Sequence, residues 1–236
     1  MSMRLILLLI GLLAIPLSAA PRHFASGENR THLLELFSSE GCSSCPPAEA
    51  WLGSLREAPG LWRDFVPVAF HVTYWDRLGW PDRFARREFT GRQYAHASRW
   101  GSGNVYTPAF VLDGAEWRGR GSPPAAATGQ SGVLSVDWTD DGACRVEFAP
   151  AGDYEVHVAL LGGGIVSSVR AGENGGRTLH HEFVALGLVT EKLAAGRAVL
   201  QLPLAVPAGV TRRALAVWVT RRGDLSPVQA TGGWLD

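Results

Sequence analysis

The sequence lacks a surplus of charge of either sign. Its 236 residues contain 22 Lys and Arg against 22 Asp and Glu, so the formal net charge is zero. Without a basic surplus, nothing in the composition indicates binding to nucleic acid or to an anionic membrane. Hydrophobic residues make up 46% of the chain and charged residues 19%, which is typical of a folded globular protein with a substantial core.

The sequence is also poor in cysteine, with only Cys42, Cys45 and Cys144. A structural framework of disulfides would show a larger and even number. A single CxxC, with no second pair and no HxxxH, supplies too few ligands for a zinc site. The pattern therefore indicates one functional pair and one single thiol. For Cys144, on a predicted strand, we expect a buried and unreactive thiol.

Long hydrophobic runs are missing except at the N terminus. Residues 1–20 combine the positive charge of Arg4, an apolar run of 13 residues and the small residues 18–20. This is the layout of a secretory signal peptide, and the run is shorter than the roughly 20 residues of a membrane span. We therefore expect an exported protein, periplasmic or secreted, with no membrane span in the mature chain. An uncleaved N-terminal anchor is the alternative.

From residue 31 to 121, strand and helix patterns alternate. "THLLELF" predicts a strand, "PPAEAWLGSLREA" a helix, and the apolar run "FVPVAFHVTYW" a buried parallel strand. A helix from Pro81 to Trp100 follows, with Phe84, Phe89 and Tyr94 available for burial. "TPAFVLDG" and a short returning strand complete an α/β N-terminal domain.

The pattern of hydrophobic and polar residues changes after residue 132. Residues 133–236 contain many short strand patterns separated by turns, which predicts an antiparallel, β-sandwich-like C-terminal domain. Residues 122–132, rich in Gly, Pro, Ala and Ser, are typical of a linker or of the remnant of a final helix.

The CxxC lies at the predicted strand-to-helix junction. Cys42 is placed at or just before the first helical turn, where backbone N–H groups and the helix dipole favour a thiolate. Cys45 falls one turn later, followed by two prolines that suit a first turn. This geometry predicts that Cys42 is the exposed nucleophile and Cys45 the partially buried resolving thiol, with exchange through a mixed disulfide.

Two other roles for the CxxC stay open. Copper would accept two thiolates plus a histidine, and His71 near the end of the second strand is the candidate ligand. A purely structural disulfide is the third hypothesis, although so short a loop contributes little loop-closure stabilisation.

The segment "VYTPAF" puts a proline at the start of the third strand. This arrangement resembles the thioredoxin superfamily, in which a cis-proline at that place lies against the CxxC and helps to hold the substrate backbone. The resemblance implies that Pro108 is this proline and that Thr107 precedes it in the substrate-binding region. It also implies a thioredoxin-like fold for the N-terminal domain.

The resemblance extends over four longer motifs, from about Leu33 to the C terminus. They are "ELFSSEGCSSCPPAEAWL", "VAFHVTYWDRLGWPDRFA", "GSGNVYTPAFVLDG" and "RAGENGGRTLHHEFV". Together they are similar to the secreted bacterial family catalogued as domain of unknown function 1223. The family implies a thioredoxin-like domain followed by a β-rich one, without a proven reaction. The weakly helical "SPPAAATGQSG" departs from its pattern, where a final helix is expected.

Two further segments carry candidate binding residues. Trp75 lies in an aromatic stretch after the second strand and is a candidate for the substrate-facing rim, with packing against the helix or the second domain as the alternative. Arg177 follows Glu173 and Asn174 in a Gly-rich loop before His180 and His181. We expect this loop to pack beside the CxxC and shape its access, with a solvated hairpin turn as the alternative.

These features together predict an exported thioredoxin-like protein that acts as a thiol–disulfide oxidoreductase. Cys42 attacks, Cys45 resolves, and Pro108 positions the substrate backbone. Its partners would be a protein or small thiol or disulfide substrate and a separate redox partner, with no organic cofactor and no metal. The alternative function is a non-enzymatic copper- or protein-binding module with the same fold.

Overall fold

The computed structural model describes residues 20–119 and 121–236 of the chain. The predicted signal peptide, residues 1–20, therefore lies outside the described residues except for its last one. The structure is mostly β-sheet, with 42% strand and 14% helix, which confirms the β-rich character expected of the C-terminal half. None of the described helices is long and apolar enough to cross a membrane.

Fourteen strands are described. They are β1 (Arg22–Ala25), β2 (His32–Ser38), β3 (Phe65–His71), β4 (Ala109–Leu112), β5 (Ala115–Trp117), β6 (Leu134–Trp138), β7 (Ala143–Phe148), β8 (Tyr154–Gly163), β9 (Ile165–Ser168), β10 (Thr178–His181), β11 (Val184–Lys192), β12 (Arg197–Gln201), β13 (Arg212–Arg221) and β14 (Pro227–Trp234).

Two α-helices lie between the early strands, α1 (Pro46–Ser54) and α2 (Arg87–Arg99), and short 3-10 helices span Leu55–Glu57 and Thr73–Leu78. The order β2, α1, β3, α2, β4, β5 is the order that the sequence predicts. The described residues between β5 and β6 contain no helix, so a remnant of a final helix is not seen there.

Helix α2 begins later than the predicted Pro81. The Asp82 carboxylate accepts a hydrogen bond from the backbone N–H of Phe84 at 2.9 Å, and the N–H of Ala85 bonds to the Asp82 carbonyl. Such side-chain bonds offer the backbone a turn in place of a helix. Tyr94 is 52% exposed, so its expected burial is wrong.

Eight strands form one sheet in the order β14-β13-β8-β11-β3-β2-β4-β5. Strands β2 and β3 are parallel, and β4 and β5 are antiparallel additions on one side. On the other side β11 joins β3 in parallel, with Val184 opposite Ala69. The predicted linker at 122–132 therefore does not separate two sheets, because strands from both halves of the chain share this one.

A second sheet has the order β1-β6-β7-β12. Alternate residues of β6 and β7 are buried, as expected for an antiparallel sheet with one face on the core. Its inner face packs on the β13–β14 end of the large sheet, where the ring of Phe24 lies directly over Gly233. Strands β9 and β10 form a separate hairpin, which carries the Gly-rich loop.

Candidate functional site

The structure places Cys42 and Cys45 in a disulfide at the start of α1, with their Cα atoms 5.4 Å apart. Cys45 is the N-cap residue, and prolines occupy the first two helical positions, where a missing N–H costs little. The Cys45 carbonyl accepts hydrogen bonds from the N–H groups of Ala48 and Glu49. The junction of strand, CxxC and helix is therefore as predicted, with the helix starting one residue after Cys45.

The expectation of an exposed Cys42 is wrong. Cys42 and Cys45 are both 0% exposed, whereas Ser43 and Ser44 between them are exposed. The turn therefore presents its two serines to solvent and turns both sulfurs inward. Reagents can reach the disulfide only after a local movement of the surrounding structure.

The loop between β9 and β10, residues 172–177, lies against this turn. Asn174 is 0% exposed, and its Nδ2 donates hydrogen bonds of 2.9 Å to the carbonyl oxygens of Glu40 and Cys42. The Glu173 carboxylate accepts a 3.1 Å bond from the N–H of Ser43. The loop therefore packs beside the CxxC through Asn174 and Glu173, as the first of the two sequence hypotheses expects, while its residues other than Asn174 are exposed.

Arg177 does not contact the cysteines directly. Its Nη1 donates a 2.7 Å hydrogen bond to the Asn174 Oδ1, which orients the Asn174 amide toward the Cys42 carbonyl. Arg177 is itself exposed. Its observed contact therefore supports Asn174, and its predicted role in substrate binding stays a prediction.

Thr107 and Pro108 lie on the other side of the CxxC turn. The peptide bond between them is cis, and the Thr107 carbonyl accepts a 3.4 Å hydrogen bond from the Ser44 hydroxyl. Trp75 donates a 2.8 Å bond from its Nε1 to the Thr107 Oγ1, and its Cβ would lie 3.0 Å from a Cβ added to Gly41. The structure therefore brings together five of the six predicted site residues around one turn: Cys42, Cys45, Thr107, Pro108 and Trp75.

Beneath the turn lies a carboxylate–histidine cluster formed by Glu40, Glu49, His71, Asp82 and His181. All five residues are at most 6% exposed. His71 Nδ1 lies 2.6 Å from Asp82 Oδ2, and His71 Nε2 lies 3.7 Å from Glu49 Oε1. His181 contacts Glu49 through its Nδ1 and lies 3.4 Å from Glu40 Oε1 through its Nε2.

The electrostatics of this cluster favour the charged forms. Burial by itself would lower the pKa of His181, but the carboxylates of Glu49 and Glu40 raise it to about 10. Burial would raise the pKa of Asp82, yet the neighbouring His71 lowers it to about 2. The two groups therefore stay ionised near neutral pH because each faces a partner of opposite charge.

Sequence reasoning found only part of this cluster. It singled out His71 as a copper ligand for the cysteines, and the copper hypothesis stays a prediction. The structure places His71 against Glu49 and Asp82, and the group of closely spaced metal-ligating side chains found among the described residues contains no cysteine. Glu49 and Asp82 were missed. A signal for Glu49 is its position four residues after Cys45, which puts it about one helical turn beyond the N-cap cysteine, on the same side.

Cys144 lies in β7, outside this site, and is buried. Burial raises the pKa of its thiol to about 12. The expected buried and unreactive thiol is consistent with this position, because a thiol that stays protonated is a poor nucleophile.

Two solved structures resemble this fold. Protein AGR_C_4864 from Agrobacterium tumefaciens is 25% identical, with a TM-score of 0.64 over 87% of this chain and 95% of that one. HBP35 of Porphyromonas gingivalis is 12% identical, with a TM-score of 0.57 over 89% of this chain and 77% of that one, and at that identity the likeness shows the fold alone. No curated protein matches the chain.

The family described as "Protein of unknown function (DUF1223)" matches residues 33–220. This range includes the CxxC turn, the Thr107–Pro108 bond, the 172–177 loop and the carboxylate–histidine cluster. Because the match spans well over half of the sequence, the chain belongs to this family of proteins of unknown function.

Proposed function

We propose that the protein is an exported thioredoxin-like thiol–disulfide oxidoreductase. The observation that carries the proposal is the Cys42–Cys45 disulfide at the N terminus of α1, beside the Thr107 carbonyl. The order β2, α1, β3, α2, β4, β5 supports a thioredoxin-like arrangement of this part of the chain. The signal-peptide pattern of residues 1–20 supports export to an oxidising compartment.

In the reducing direction, the Cys42 thiolate attacks one sulfur of a substrate disulfide and releases the other as a thiolate, which takes up a proton. This forms a mixed disulfide between Cys42 and the substrate. The Cys45 thiolate then attacks Cys42, so that the substrate leaves as a dithiol and the enzyme as the Cys42–Cys45 disulfide. Two electrons pass to the substrate, and a separate redox partner restores the dithiol.

The surroundings of the CxxC suit this role. The backbone polar groups of Thr107 lie beside the CxxC turn and could bind the backbone of an extended substrate. Trp75 donates a hydrogen bond to the Thr107 hydroxyl and so holds Thr107 in place. Since both cysteines are 0% exposed, part of the structure around them must move before a substrate can react, and the 172–177 loop contacts the turn through two side chains. We therefore propose that this loop controls access to the disulfide.

The burial of both cysteines also favours a second candidate function, a disulfide that stays oxidised and only stabilises the fold. The reduction potential separates the two candidates. We would equilibrate the purified Cys144→Ser protein in glutathione buffers and trap free thiols. A reversible transition in the range of roughly −270 to −120 mV supports exchange chemistry, whereas a disulfide that resists reduction until the protein unfolds supports the structural role.

Matched single-cysteine variants test which sulfur attacks. We expect Cys45→Ser to accumulate mixed disulfides with a model disulfide peptide, because the resolving thiol is lost. Cys42→Ser should accumulate far fewer. Equal trapping by both variants would contradict the assignment of Cys42 as the nucleophile.

A further inference from the structure

Three side chains from three separate elements converge beneath the CxxC turn. Glu49 lies in the first turn of α1, His71 is the last residue of β3, and His181 is the last residue of β10. One donor atom from each lies within 4.8 Å of the other two. All three residues are buried, so the chain holds two imidazoles and a carboxylate together out of contact with bulk water.

Several atoms of this cluster that could bind a metal ion have no hydrogen-bond partner. They are His71 Nε2, His181 Nε2 and Glu40 Oε1, all buried. Buried polar atoms are almost always hydrogen-bonded, whereas these three atoms have a charged neighbour only at ion-pair distance. Two ligands of a tetrahedral ion at about 2.1 Å lie about 3.4 Å apart. His71 Nε2 lies 3.7 Å from Glu49 Oε1, and His181 Nε2 lies 3.4 Å from Glu40 Oε1.

The opposite ends of the same side chains are held in place. Asp82 binds His71 Nδ1 at 2.6 Å, which leaves Nε2 as the free nitrogen. Trp80 Nε1 donates to Glu40 Oε2 at 2.7 Å, which leaves Glu40 Oε1 free. Glu49 is held on both oxygens, because the Ser38 hydroxyl donates to Oε1, the oxygen that faces His71, and Oε2 contacts His181 Nδ1. A carboxylate behind a ligating histidine and hydrogen bonds behind ligating carboxylates are the usual outer partners of a metal site.

The charge balance of the cluster also favours a cation. Three buried carboxylates, those of Glu40, Glu49 and Asp82, face two imidazoles. Among the ion pairs of the described residues, these carboxylates are paired with histidines and with no Lys or Arg. A divalent cation bound by two neutral imidazoles would supply the same two positive charges as two protonated imidazoles, so it can take the place of their protons.

A route to the cluster is present. A cleft of about 190 Å³ lies between the N-terminal part of α1 and β10, and its walls include Pro46, Glu49, Arg177 and His181. The cleft touches Glu49 and His181, and no cysteine is among its lining residues. Such a route is one of the features expected of a metal site.

We propose that Glu49, His71 and His181 form a binding site for a divalent first-row transition-metal ion, of which Zn²⁺ is the representative. Two histidines and one glutamate are an established ligand set for this ion, and Glu40 is placed to supply a fourth oxygen. The proposal does not depend on the redox role of Cys42 and Cys45, because neither sulfur is a ligand.

The test is calorimetric titration of the purified, metal-stripped protein with Zn²⁺, with the Cys42–Cys45 disulfide kept oxidised. We expect one Zn²⁺ per chain. Glu49→Gln and His181→Gln should each lower the affinity at least 100-fold, and Asp82→Asn about 10- to 100-fold, the usual effect of losing an outer partner. The matched control is His180→Gln, which removes the exposed neighbour of His181 and should leave the affinity unchanged.

Cobalt keeps the proposal testable if the buried variants fail to fold. Co²⁺ bound to the oxidised wild-type protein should give the visible absorption of nitrogen and oxygen ligation without a thiolate-to-metal charge-transfer band, and Zn²⁺ should displace it. The proposal is overturned if the wild-type protein takes up no Zn²⁺ in a saturable way. It is equally overturned if folded His181→Gln binds as tightly as wild type, or if His180→Gln loses binding.

Discussion

The amide nitrogen of Asn174 donates a 2.9 Å hydrogen bond to the carbonyl oxygen of Cys42, a residue 132 positions earlier in the chain. A second bond of the same length goes to the carbonyl of Glu40. One buried side chain thus ties the β9–β10 hairpin to the CxxC turn. Asn174 therefore makes two of the hydrogen bonds between the loop and the turn, and replacing it should weaken this contact.

Asn174→Ala removes both bonds, so that the Glu40 carbonyl loses the donor found for it and the Cys42 carbonyl keeps only the N–H of Cys45. We expect the free energy of unfolding of the oxidised protein to fall by about 2 to 4 kcal/mol. The loop should also open more readily, so that dithiothreitol reduces the Cys42–Cys45 disulfide on the order of tenfold faster, the factor that about 1.4 kcal/mol gives. Urea denaturation and the kinetics of thiol release measure the two effects.

The matched control for this change is Asn104→Ala, because Asn104 is exposed and only its backbone takes part in the hydrogen bonds found for it. Asn104→Ala should change neither the free energy of unfolding nor the rate of disulfide reduction. If Asn174→Ala lowered stability without changing the reduction rate, the loop would be structural and would not control access.

Trp75→Phe removes the 2.8 Å bond from the indole Nε1 to the Thr107 hydroxyl while keeping an aromatic ring. We expect a loss of about 0.5–1.5 kcal/mol in stability and an increase of about two- to tenfold in the rate of disulfide reduction, because Thr107, whose carbonyl contacts Ser44 of the CxxC turn, is held less firmly. Trp100→Phe is the control. It removes a bond of the same length to the Gly114 carbonyl, and an equal change in reduction rate would rule out a local effect of Trp75.

Glu35 in β2 makes stability depend on pH. Burial would raise its pKa, but Arg92, whose Nε lies 2.5 Å away, and His96 lower the pKa from 4.5 to about 2. A carboxyl whose pKa is lower in the folded state stabilises the protein above its unfolded pKa, and this stabilisation is lost as the pH falls from 4.5 toward 2. The shift corresponds to about 3 kcal/mol.

Urea denaturation of wild type and Glu35→Gln across this pH range measures the direction in which the contribution of Glu35 to stability changes with pH. The difference in unfolding free energy between them should shrink as the pH falls, since the wild-type carboxylate becomes protonated. The control is Glu147→Gln, at an exposed ion pair with Arg197, for which we expect no such change. A difference that stays constant from pH 6 to pH 2 would contradict the ionised state of Glu35.

Gly232 in β14 marks a close approach of two strands. A Cβ at this position would collide with the carbonyl oxygen of Leu215 and with the ring of Trp62. Gly232→Ala should therefore destabilise the protein by about 1 to 3 kcal/mol, measured by thermal or urea unfolding. Gly103→Ala, where a Cβ would meet no atom within 4 Å, should change stability little. Equal effects would contradict the steric explanation for Gly232.

The sequence by itself determined the local features of the site. The order of strands and helices from β2 to β5 follows from hydrophobic periodicity over short windows. The start of α1 after Cys45 follows from two prolines that suit a first helical turn. The proximity of Pro108 to the CxxC came from resemblance to a known superfamily, because a contact across about 60 residues has no signal in local periodicity.

Only the tertiary structure decided what surrounds the two sulfurs. The pairing of β11 with β3, the hydrogen bonds of Asn174 and the meeting of Glu49 with His71 and His181 all join residues that are far apart in the chain. Local dihedral preferences act over a few residues, whereas strand-edge pairing and the compensation of buried charge depend on which elements pack together. For that reason the sequence pattern predicted an exposed Cys42, whereas in the structure Cys42 is part of a buried disulfide above a cluster of carboxylates and histidines.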